Sequence, residues 1–302
     1  MKTIEFQENK QIKGWPYVNS EYFEYGEYKL HYRIDEAKGK EKGKLFMIHG
    51  FGCNTTFYNE LAEDYTKKGL RCVRVDLPDF GYSTREVKGI KYVNRVDMLI
   101  ALMEYLDKQE KNPDKWIVVG HSMGGSVTLD IAQRALPIIK GYMLYAPMFM
   151  FNVPKLMSKM FQMKWMGAMM DTALKYVMPY DALVKVVLLI ATMSPRYIAH
   201  YDASLAANPL RLKDTGKGLC YMSSKASHPP YEDMKKIKEP VLLVWGGLDL
   251  FVPGGKVKKL TESLPDSTDV HTIKLAGHCV VQNFHKKCCE YGIEFLKANK
   301  MY

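Results

Sequence analysis

The chain has 302 residues, of which 47% are hydrophobic and 25% charged, and its formal net charge is +10. This composition is typical of a globular protein with a sizeable core, and the length fits one large α/β domain with an insertion, or two domains. No apolar run predicts a signal peptide or a membrane span: the N-terminus lacks one, and the run at 182–193 is short and contains Lys185.

The cysteine and charge patterns limit the binding partners and the redox state that we expect. The six cysteines, scattered without CxxC spacing, are Cys53, Cys72, Cys220, Cys279, Cys288 and Cys289. They predict reduced thiols in a cytoplasmic protein. Basic residues lie in small loop clusters mixed with acids, without a nucleic-acid recognition motif. We expect no nucleic-acid partner, no metal and no cofactor. A weak peripheral attraction to anionic lipid stays open, as does the oligomeric state.

Apolar runs define the predicted elements in chain order. Alternation over 22–34 predicts an early hairpin. Further strands are predicted at 45–48, 70–75, 117–119, 142–145, 241–245 and 269–275, and helices at 93–106 and 279–296. Continuous apolar strands alternating with helices predict a mostly parallel sheet covered on both faces. In such sheets functional groups gather at the carboxyl ends of the strands.

The stretch from 149 to 230 differs from the rest of the chain in composition and hydrophobic pattern. Methionine is dense and strand–helix alternation is lost. We expect short helices, broken at Pro154, Pro179, Pro195 and Pro209. The segment is interpreted as a helical cap inserted between two sheet strands. The predicted division is core at 1–149, cap at 150–229 and core again at 230–302. Most of the methionines are expected to form the core of the cap, and some could line an apolar pocket.

The motif Gly-His-Ser-Met-Gly at 120–124 follows an apolar strand and precedes a helical pattern. This is the context of a nucleophile elbow, with Ser122 at the apex. The strained turn needs small residues at Gly120 and Gly124, and it directs the Met123 N–H toward a site where an anion is stabilised. We predict Ser122 as nucleophile and Met123 as an oxyanion donor. The alternative is a glycine-rich turn with a chance serine.

A serine nucleophile needs a base, an acid and a second oxyanion donor. Asp249 follows a buried strand and is the predicted acid, although an Asp there could equally cap a helix. His278 follows the last strand and is the predicted base. The Phe51 N–H, after His-Gly at the end of an early strand, is the predicted second oxyanion donor.

With these motifs the chain resembles the α/β-hydrolase superfamily, over nearly its whole length outside the cap. Nucleophile, acid and base follow in that superfamily's order. The stretch 76–83 is similar to its D-x-x-G-x-G-x-S loop, with Asp79 where glycine is common. The resemblance implies the α/β-hydrolase fold with an inserted cap. The elbow and residues 201–210 further resemble monoacylglycerol lipases and lysophospholipases.

The expected function is cleavage of carboxylic esters through an acyl-enzyme on Ser122. The resemblance favours acyl glycerol or lysophospholipid-like substrates, small molecules with an apolar acyl chain. Cap residues expected to bind the substrate are Met150, Phe151, Phe161 and Trp165. Alternatively, these side chains pack only against each other above a small cavity. Other open functions are C–C bond hydrolysis or aminopeptidase activity on the same fold, or a small-molecule receptor that retains the triad.

Overall fold

The computed structural model describes residues 1–6, 16–86, 93–111, 113–149, 154–225 and 234–302, with the side chain of Lys225 left out. Within these ranges eight strands form one sheet in the order β1-β2-β4-β3-β5-β6-β7-β8. The strands are β1 Ser20–Tyr25, β2 Tyr28–Asp35, β3 Gly43–Ile48, β4 Leu70–Val75, β5 Trp116–His121, β6 Ile139–Tyr145, β7 Val241–Gly246 and β8 Asp269–Ile273.

The sheet is mostly parallel, as predicted. β1 and β2 form an antiparallel hairpin, β2 pairs antiparallel with β4, and the other neighbours are parallel. Every residue of β3, β5 and β7 is buried. This explains the continuous apolar runs, because both faces of these strands are covered.

Helices cover both faces of the sheet. The core helices are α1 Asn59–Lys67, α2 Arg95–Asp107, α3 Met123–Ala132, α10 Gly254–Ser263, α11 Val280–Asn283 and α12 His285–Ala298. On β3, Phe46 packs in one core cluster with residues of α2 and α3, whereas Met47 packs in the other with residues of α1 and α12. Successive side chains of a strand point to opposite faces, so one strand supplies both layers.

Between β6 and β7 the named elements of the described chain are all helices, joined by short loops. These helices are α4 Lys155–Phe161, α5 Lys164–Val177, α6 Asp181–Thr192, α7 Pro195–His200, α8 Ser204–Leu210 and α9 Thr215–Lys225. We call this group the cap. The proposed domain limits at 150 and 229 lie outside the described residues.

Three predicted boundaries were wrong. Pro209 lies inside the last turn of α8 and does not break it. A proline cannot donate to the carbonyl four residues earlier, and that carbonyl, Leu205 O, accepts instead from Asn54 Nδ2 (2.9 Å) and Thr56 Oγ1 (3.2 Å). The predicted helix 279–296 is divided at Phe284, and β8 ends at Ile273, where a turn begins.

Candidate active site

Ser122 stands between β5 and α3 with φ 51° and ψ −119°. This is the strained turn that the elbow motif predicts, because L-residues rarely adopt positive φ. A side chain at Gly124 would collide with the carbonyl of Ile48, and one at Gly120 with the hydroxyl of Thr128. Both glycines are therefore required by close packing around the turn.

The three residues predicted as a triad are hydrogen-bonded in series. His278 Nε2 lies 2.8 Å from Ser122 Oγ, and His278 Nδ1 lies 2.8 Å from Asp249 Oδ2. An ionised carboxylate only accepts, so Nδ1 carries the proton and Nε2 can accept from the serine hydroxyl. This tautomer leaves the imidazole ready to take the serine proton.

Asp249 is held by its own loop. Its Oδ1 accepts the N–H groups of Phe251 (2.8 Å) and Val252 (3.0 Å), while Oδ2 faces His278. The helix-cap alternative does not describe this residue, because the residue before α10 is Pro253. The side chain of Asp249 is 1% exposed, so its charge acts on His278 with little screening by water.

The loop after β3 lies against Ser122. A Cβ on Gly50 would lie 3.0 Å from Ser122 Cβ, and the Phe51 N–H follows directly. Met123 is the first residue of α3, so its N–H has no intrahelical acceptor. The structure thus brings the loop that carries Phe51 and the elbow that carries Met123 together at Ser122. Their oxyanion role stays a prediction.

His49 fixes the shape of that loop. Its Nε2 accepts the N–H of Leu77 (3.1 Å), so its Nδ1 donates to the carbonyl of Gly50 (2.7 Å). Complete burial lowers the pKa of His49. The ring therefore stays neutral, and its two hydrogen bonds hold the loop after β3 in this conformation.

His121 contacts His278, and the sequence did not reveal this contact. Its Nε2 donates to the backbone carbonyl of His278 (3.1 Å), and its ring lies between Phe57 and His278, with centroids 4.4 and 4.9 Å away. Burial, and then the neighbouring His278, place the pKa of His121 well below its usual value. A neutral His121 positions the backbone of the candidate base. In sequence it occupies only the variable place of the elbow motif.

A second Ser-His-Asp series lies elsewhere in the core. His31 Nε2 lies 2.7 Å from Ser20 Oγ, and His31 Nδ1 lies 2.7 Å from Asp76 Oδ2. All three residues are at most 1% exposed. Ser20 lies in β1 rather than before a helix, and its Oγ accepts the N–H of Tyr17 (3.1 Å). The hydrogen bonds among Ser20, His31 and Asp76 connect the β1–β2 hairpin to the loop after β4. A Ser-His-Asp arrangement alone therefore does not distinguish Ser122, whereas its position in the strained turn before α3 does.

A cavity of about 40 Å³ lies between core and cap, next in the chain to Phe51 and His278. Residues from both parts line it, among them Gly52, Cys53, Leu188, Tyr201, Cys279 and Gln282. Gln282 is 2% exposed, and its Oε1 has no hydrogen-bond partner within the described chain. A larger open cleft of about 640 Å³ is lined by Glu60, Arg196 and His200 among others, and by no triad residue.

The two predicted substrate-binding residues of the cap that the structure describes, Phe161 and Trp165, do not line these cavities. Phe161 is partly buried and Trp165 is 55% exposed, and neither belongs to the lining of the cavity or of the cleft. Met150 and Phe151 lie outside the described residues. The sequence had not singled out Leu188 or Gln282, because no motif marks them. Tyr201 begins the stretch 201–210 that resembles monoacylglycerol lipases, but no role in binding was predicted for it.

Other features of the described ranges concern metals, thiols and membranes. No group of three His, Cys, Asp or Glu side chains in these ranges could hold a metal ion. All six cysteines are free. None of the described helices is both long and apolar enough to traverse a bilayer.

Comparison with known families agrees with this geometry. The model of the serine aminopeptidase family S33 matches residues 39–283. The chain belongs to this α/β-hydrolase family. Among solved structures, the chain is similar to MGS-M2, an alpha/beta hydrolase enzyme from a Medee basin deep-sea metagenome library, with a TM-score of 0.70 and 20% identity over 92% of this chain and 97% of that one. It is also similar to a thermophilic esterase from Thermogutta terrifontis, with a TM-score of 0.69 and 16% identity over 90% and 94%.

Curated relatives of this family member differ in their chemistry. The monoacylglycerol lipase abhd6-B of Xenopus laevis is 23% identical over 92% of this chain and 82% of that protein. The 2-hydroxy-6-oxononadienedioate/2-hydroxy-6-oxononatrienedioate hydrolase of Burkholderia vietnamiensis is 24% identical over 90% and 92%. The chain is a hydrolase by family, and the bond it cleaves has to be argued from its own residues.

Proposed function

We propose that the protein is a serine hydrolase that cleaves carboxylic esters through an acyl-enzyme on Ser122, with acyl glycerol or lysophospholipid-like esters as favoured substrates. The observation that carries this proposal is the pair of 2.8 Å contacts that join His278 to Ser122 and to Asp249. They occur at a serine whose strained backbone stands at a helix N-terminus.

The proposed reaction has two halves. Ser122 Oγ attacks the ester carbonyl while His278 Nε2 takes its proton, and Asp249 stabilises the imidazolium that forms. The N–H groups of Phe51 and Met123 stabilise the oxyanion. His278 then gives the proton to the departing alcohol. Water repeats the sequence on the acyl-enzyme, releases the acid and restores Ser122.

A mainly apolar cavity and the lipase relatives support an acyl ester. The cavity next in the chain to Phe51 and His278 is lined by Leu188, Phe57 and two cysteines, together with polar residues such as Asn54 and Gln282, and no described Lys or Arg lines it. Three of the relatives are named monoacylglycerol lipases. Aliphatic and aromatic walls suit an acyl chain, because burying each methylene contributes about 0.8 kcal/mol.

C–C bond hydrolysis is the second candidate, since several relatives at 24–26% identity are named hydrolases of a 2-hydroxy-6-oxo dioate. A dioate carries two carboxylates, and proteins usually bind carboxylates with Arg or Lys. Among the described residues no such cation lines the cavity next in the chain to His278, which favours the ester. The receptor alternative predicts little or no turnover.

The test is labelling with a fluorophosphonate, followed by mass spectrometry. Wild-type protein should be labelled on Ser122, and Ser122→Ala should lose both label and ester hydrolysis. Ser20→Ala is the matched control, because it removes a hydroxyl from the other Ser-His-Asp series and should keep the label. Labelling on another residue, or turnover that survives in Ser122→Ala, contradicts the nucleophile.

A substrate panel then distinguishes the bond. Monoacylglycerols, lysophospholipids and p-nitrophenyl esters should be cleaved with higher kcat/KM than a 2-hydroxy-6-oxo dioate or an aminoacyl amide. A labelled enzyme that cleaves only the dioate would assign C–C bond hydrolysis. A labelled protein that turns over none of them would support the receptor.

A further inference from the structure

The cap carries an unusual amount of exposed apolar surface. Of 24 large hydrophobic side chains that are exposed in the described chain, 14 lie between residues 156 and 193. Single exposed hydrophobic residues are normal, but a concentration of them marks a surface that meets a partner or a membrane. The question is therefore what covers this part of the cap.

Helix α6 is apolar on both sides. On the inner side, Val184 and Leu188 pack in a cluster with residues of α8. On the outer side Leu183, Val187 and Ile190 are 38%, 59% and 48% exposed. Helices that are hydrophobic all round are normally buried, so the outer apolar side of α6 lacks a cover in the described chain. We call Leu183, Val186, Val187 and Ile190 the α6 stripe.

The α6 stripe ends beside the catalytic residues. The carbonyl of Ala191 accepts the N–H of Cys279 (3.1 Å), the residue after His278. A Cβ on Gly277 would lie 3.0 Å from Met193 Cγ. The loops around the acid and the base expose further apolar side chains: Leu248, Leu250, Phe251 and Leu275 are 41–72% exposed. Apolar surface thus surrounds the triad on the cap side and on the core side.

The cap segment 154–193, which carries the exposed apolar residues, has a positive net charge. Lys155, Lys159 and Lys164 lie in α4 and at the start of α5, and no acidic residue occurs between 154 and 170. Of the two acids that follow up to 193, Asp171 accepts the N–H of Gly216 (2.5 Å) and Asp181 pairs with Lys185 (3.4 Å). Exposed lysines beside exposed apolar side chains match the surface of an anionic bilayer.

From these observations we propose that the α6 stripe and the exposed apolar loops around the triad dock onto the surface of an anionic lipid bilayer. The stripe would enter the boundary between headgroups and acyl chains, while the lysines of α4 and α5 contact lipid phosphates. A second copy of the chain is disfavoured as the occupant, because each copy carries a net charge of +10 and like charges repel. Docking of this kind does not depend on the chemistry of Ser122.

Binding is tested by co-sedimentation with vesicles of phosphatidylcholine containing 0 or 30 mol% phosphatidylserine. The wild-type protein should sediment with the anionic vesicles. Val187→Glu/Ile190→Glu should reduce the partition coefficient at least tenfold while leaving hydrolysis of a water-soluble ester unchanged. The matched control is Val18→Glu/Tyr105→Glu, which adds the same charge at exposed apolar positions, 84% and 41% exposed, outside the stripe and should bind as the wild type does.

The lysines and a tryptophan give two more readouts. Lys155→Gln/Lys159→Gln/Lys164→Gln should lose most of the gain from phosphatidylserine, since each lysine near an anionic surface contributes about fivefold. Trp165 is 55% exposed whereas Trp116 and Trp245 are buried. Its emission should shift to the blue on anionic vesicles, and Trp165→Phe should remove that shift.

Three outcomes overturn the proposal. One is the absence of wild-type protein from either vesicle pellet, and another is normal binding by Val187→Glu/Ile190→Glu. The third is a dimer in sedimentation equilibrium without lipid that this variant dissociates, because the face would then belong to a second copy. Running the assay with Ser122→Ala as well separates docking from hydrolysis, so failure of one proposal is distinguishable from failure of the other.

Discussion

At the scale of single residues, the Asp249–His278 contact has a defined task. The carboxylate holds the imidazole in the tautomer whose Nε2 faces Ser122, with 2.8 Å on either side. Asp249→Asn keeps the shape but offers an N–H where an acceptor is needed. We expect kcat to fall by about 10⁴, as in serine proteases. The measurement is kcat for a p-nitrophenyl ester.

The control for that substitution is Asp64→Asn. Asp64 lies 2.6 Å from Nδ1 of His285, so it forms another His–Asp pair outside the triad, and its loss should leave kcat unchanged. Near-normal turnover in Asp249→Asn would mean that another carboxylate orients His278. A comparable loss in both variants would point to a general effect on folding.

Asp130, in the helix that follows Ser122, gives a prediction on stability. Burial raises the pKa of Asp130 to about 6, opposed by Arg134, whereas an unfolded Asp has a pKa of about 3.9. Between these values the folded chain holds a proton that the unfolded chain has lost. The contribution of Asp130 to stability therefore falls as the pH rises from about 4 to about 6 and stays low above it.

Asp130→Asn should remove this pH dependence. We expect the variant to be more stable than the wild type by ~1 kcal/mol at pH 7, a value reduced for partial exposure to solvent, and nearly equal at pH 4. Urea unfolding at both pH values measures it. Glu104→Gln, at an exposed position of α2, is the control. A gain that is the same at both pH values would mean that titration of Asp130 is not its cause.

At the scale of elements, the elbow depends on close approach of β3, β5 and α3. A Cβ on Gly124 would collide with the backbone carbonyls of Ile48 and His49, which cannot move without displacing the loop that carries Phe51. Gly124→Ala should lower the free energy of unfolding by about 3 kcal/mol and reduce activity further than stability alone explains.

Gly254→Ala is the matched control for the elbow. A Cβ there would meet no atom within 4 Å, so its effect should stay within about 1 kcal/mol. Thermal unfolding and ester hydrolysis measured on both variants give the comparison. Equal stability of the two would show that the elbow tolerates a side chain and that the strand–helix approach is looser than described.

Much of the core could be predicted from sequence because its signals are local. Buried strands produce uninterrupted apolar runs, and the elbow produces a glycine-flanked serine at the end of one of them. The strand 70–75 was predicted with the limits that β4 has. Pro209 shows where local rules fail. Its effect on α8 depends on whether a distant donor reaches Leu205 O, and that donor is Asn54, 151 residues away.

In the candidate site, too, only the residues that local sequence patterns mark could be predicted. Ser122, Asp249 and His278 each follow the end of a strand, and parallel strands bring their carboxyl ends to one edge. His121 and Gln282 could not be found this way, because their partners depend on how helices and loops pack. The cap was harder still. Most of its methionines are predicted to form its core, whereas Met157, Met163 and Met169 are 45–52% exposed, and so is the α6 stripe at 38–59%.

At the scale of the whole molecule, the cap and the core are joined around a small cavity. Asn283 Nδ2 donates to Thr192 O (3.1 Å), and Arg85 of the core donates to Pro209 O (3.0 Å) and Thr215 Oγ1 (2.9 Å) in the cap. With these bonds in place the cavity next to Phe51 and His278 holds about 40 Å³, whereas binding pockets usually measure about 300–1,000 Å³. We therefore predict that a long acyl chain bound in this cavity displaces the cap.

This enclosure makes the dependence of kcat/KM on acyl length informative. Each buried methylene contributes about 0.8 kcal/mol, which corresponds to about fourfold in kcat/KM. We expect kcat/KM to rise from acetyl by up to that factor per methylene, until the chain must displace the cap. Leu188, on the inner side of α6, lines the cavity. Leu188→Ala should shift the optimum to longer acyl chains by enlarging it.

Val187→Ala is the matched control, because Val187 is the next residue and lies on the outer side of α6, 59% exposed. It should leave the length profile for water-soluble esters unchanged. The measurement is kcat/KM for p-nitrophenyl esters from acetyl to dodecanoyl with the wild type and both variants. A steady fall from acetyl upward in the wild type would reject the acyl pocket and favour a small-ester or non-ester hydrolase. A profile that moves in Val187→Ala as much as in Leu188→Ala would place the acyl chain outside the cavity.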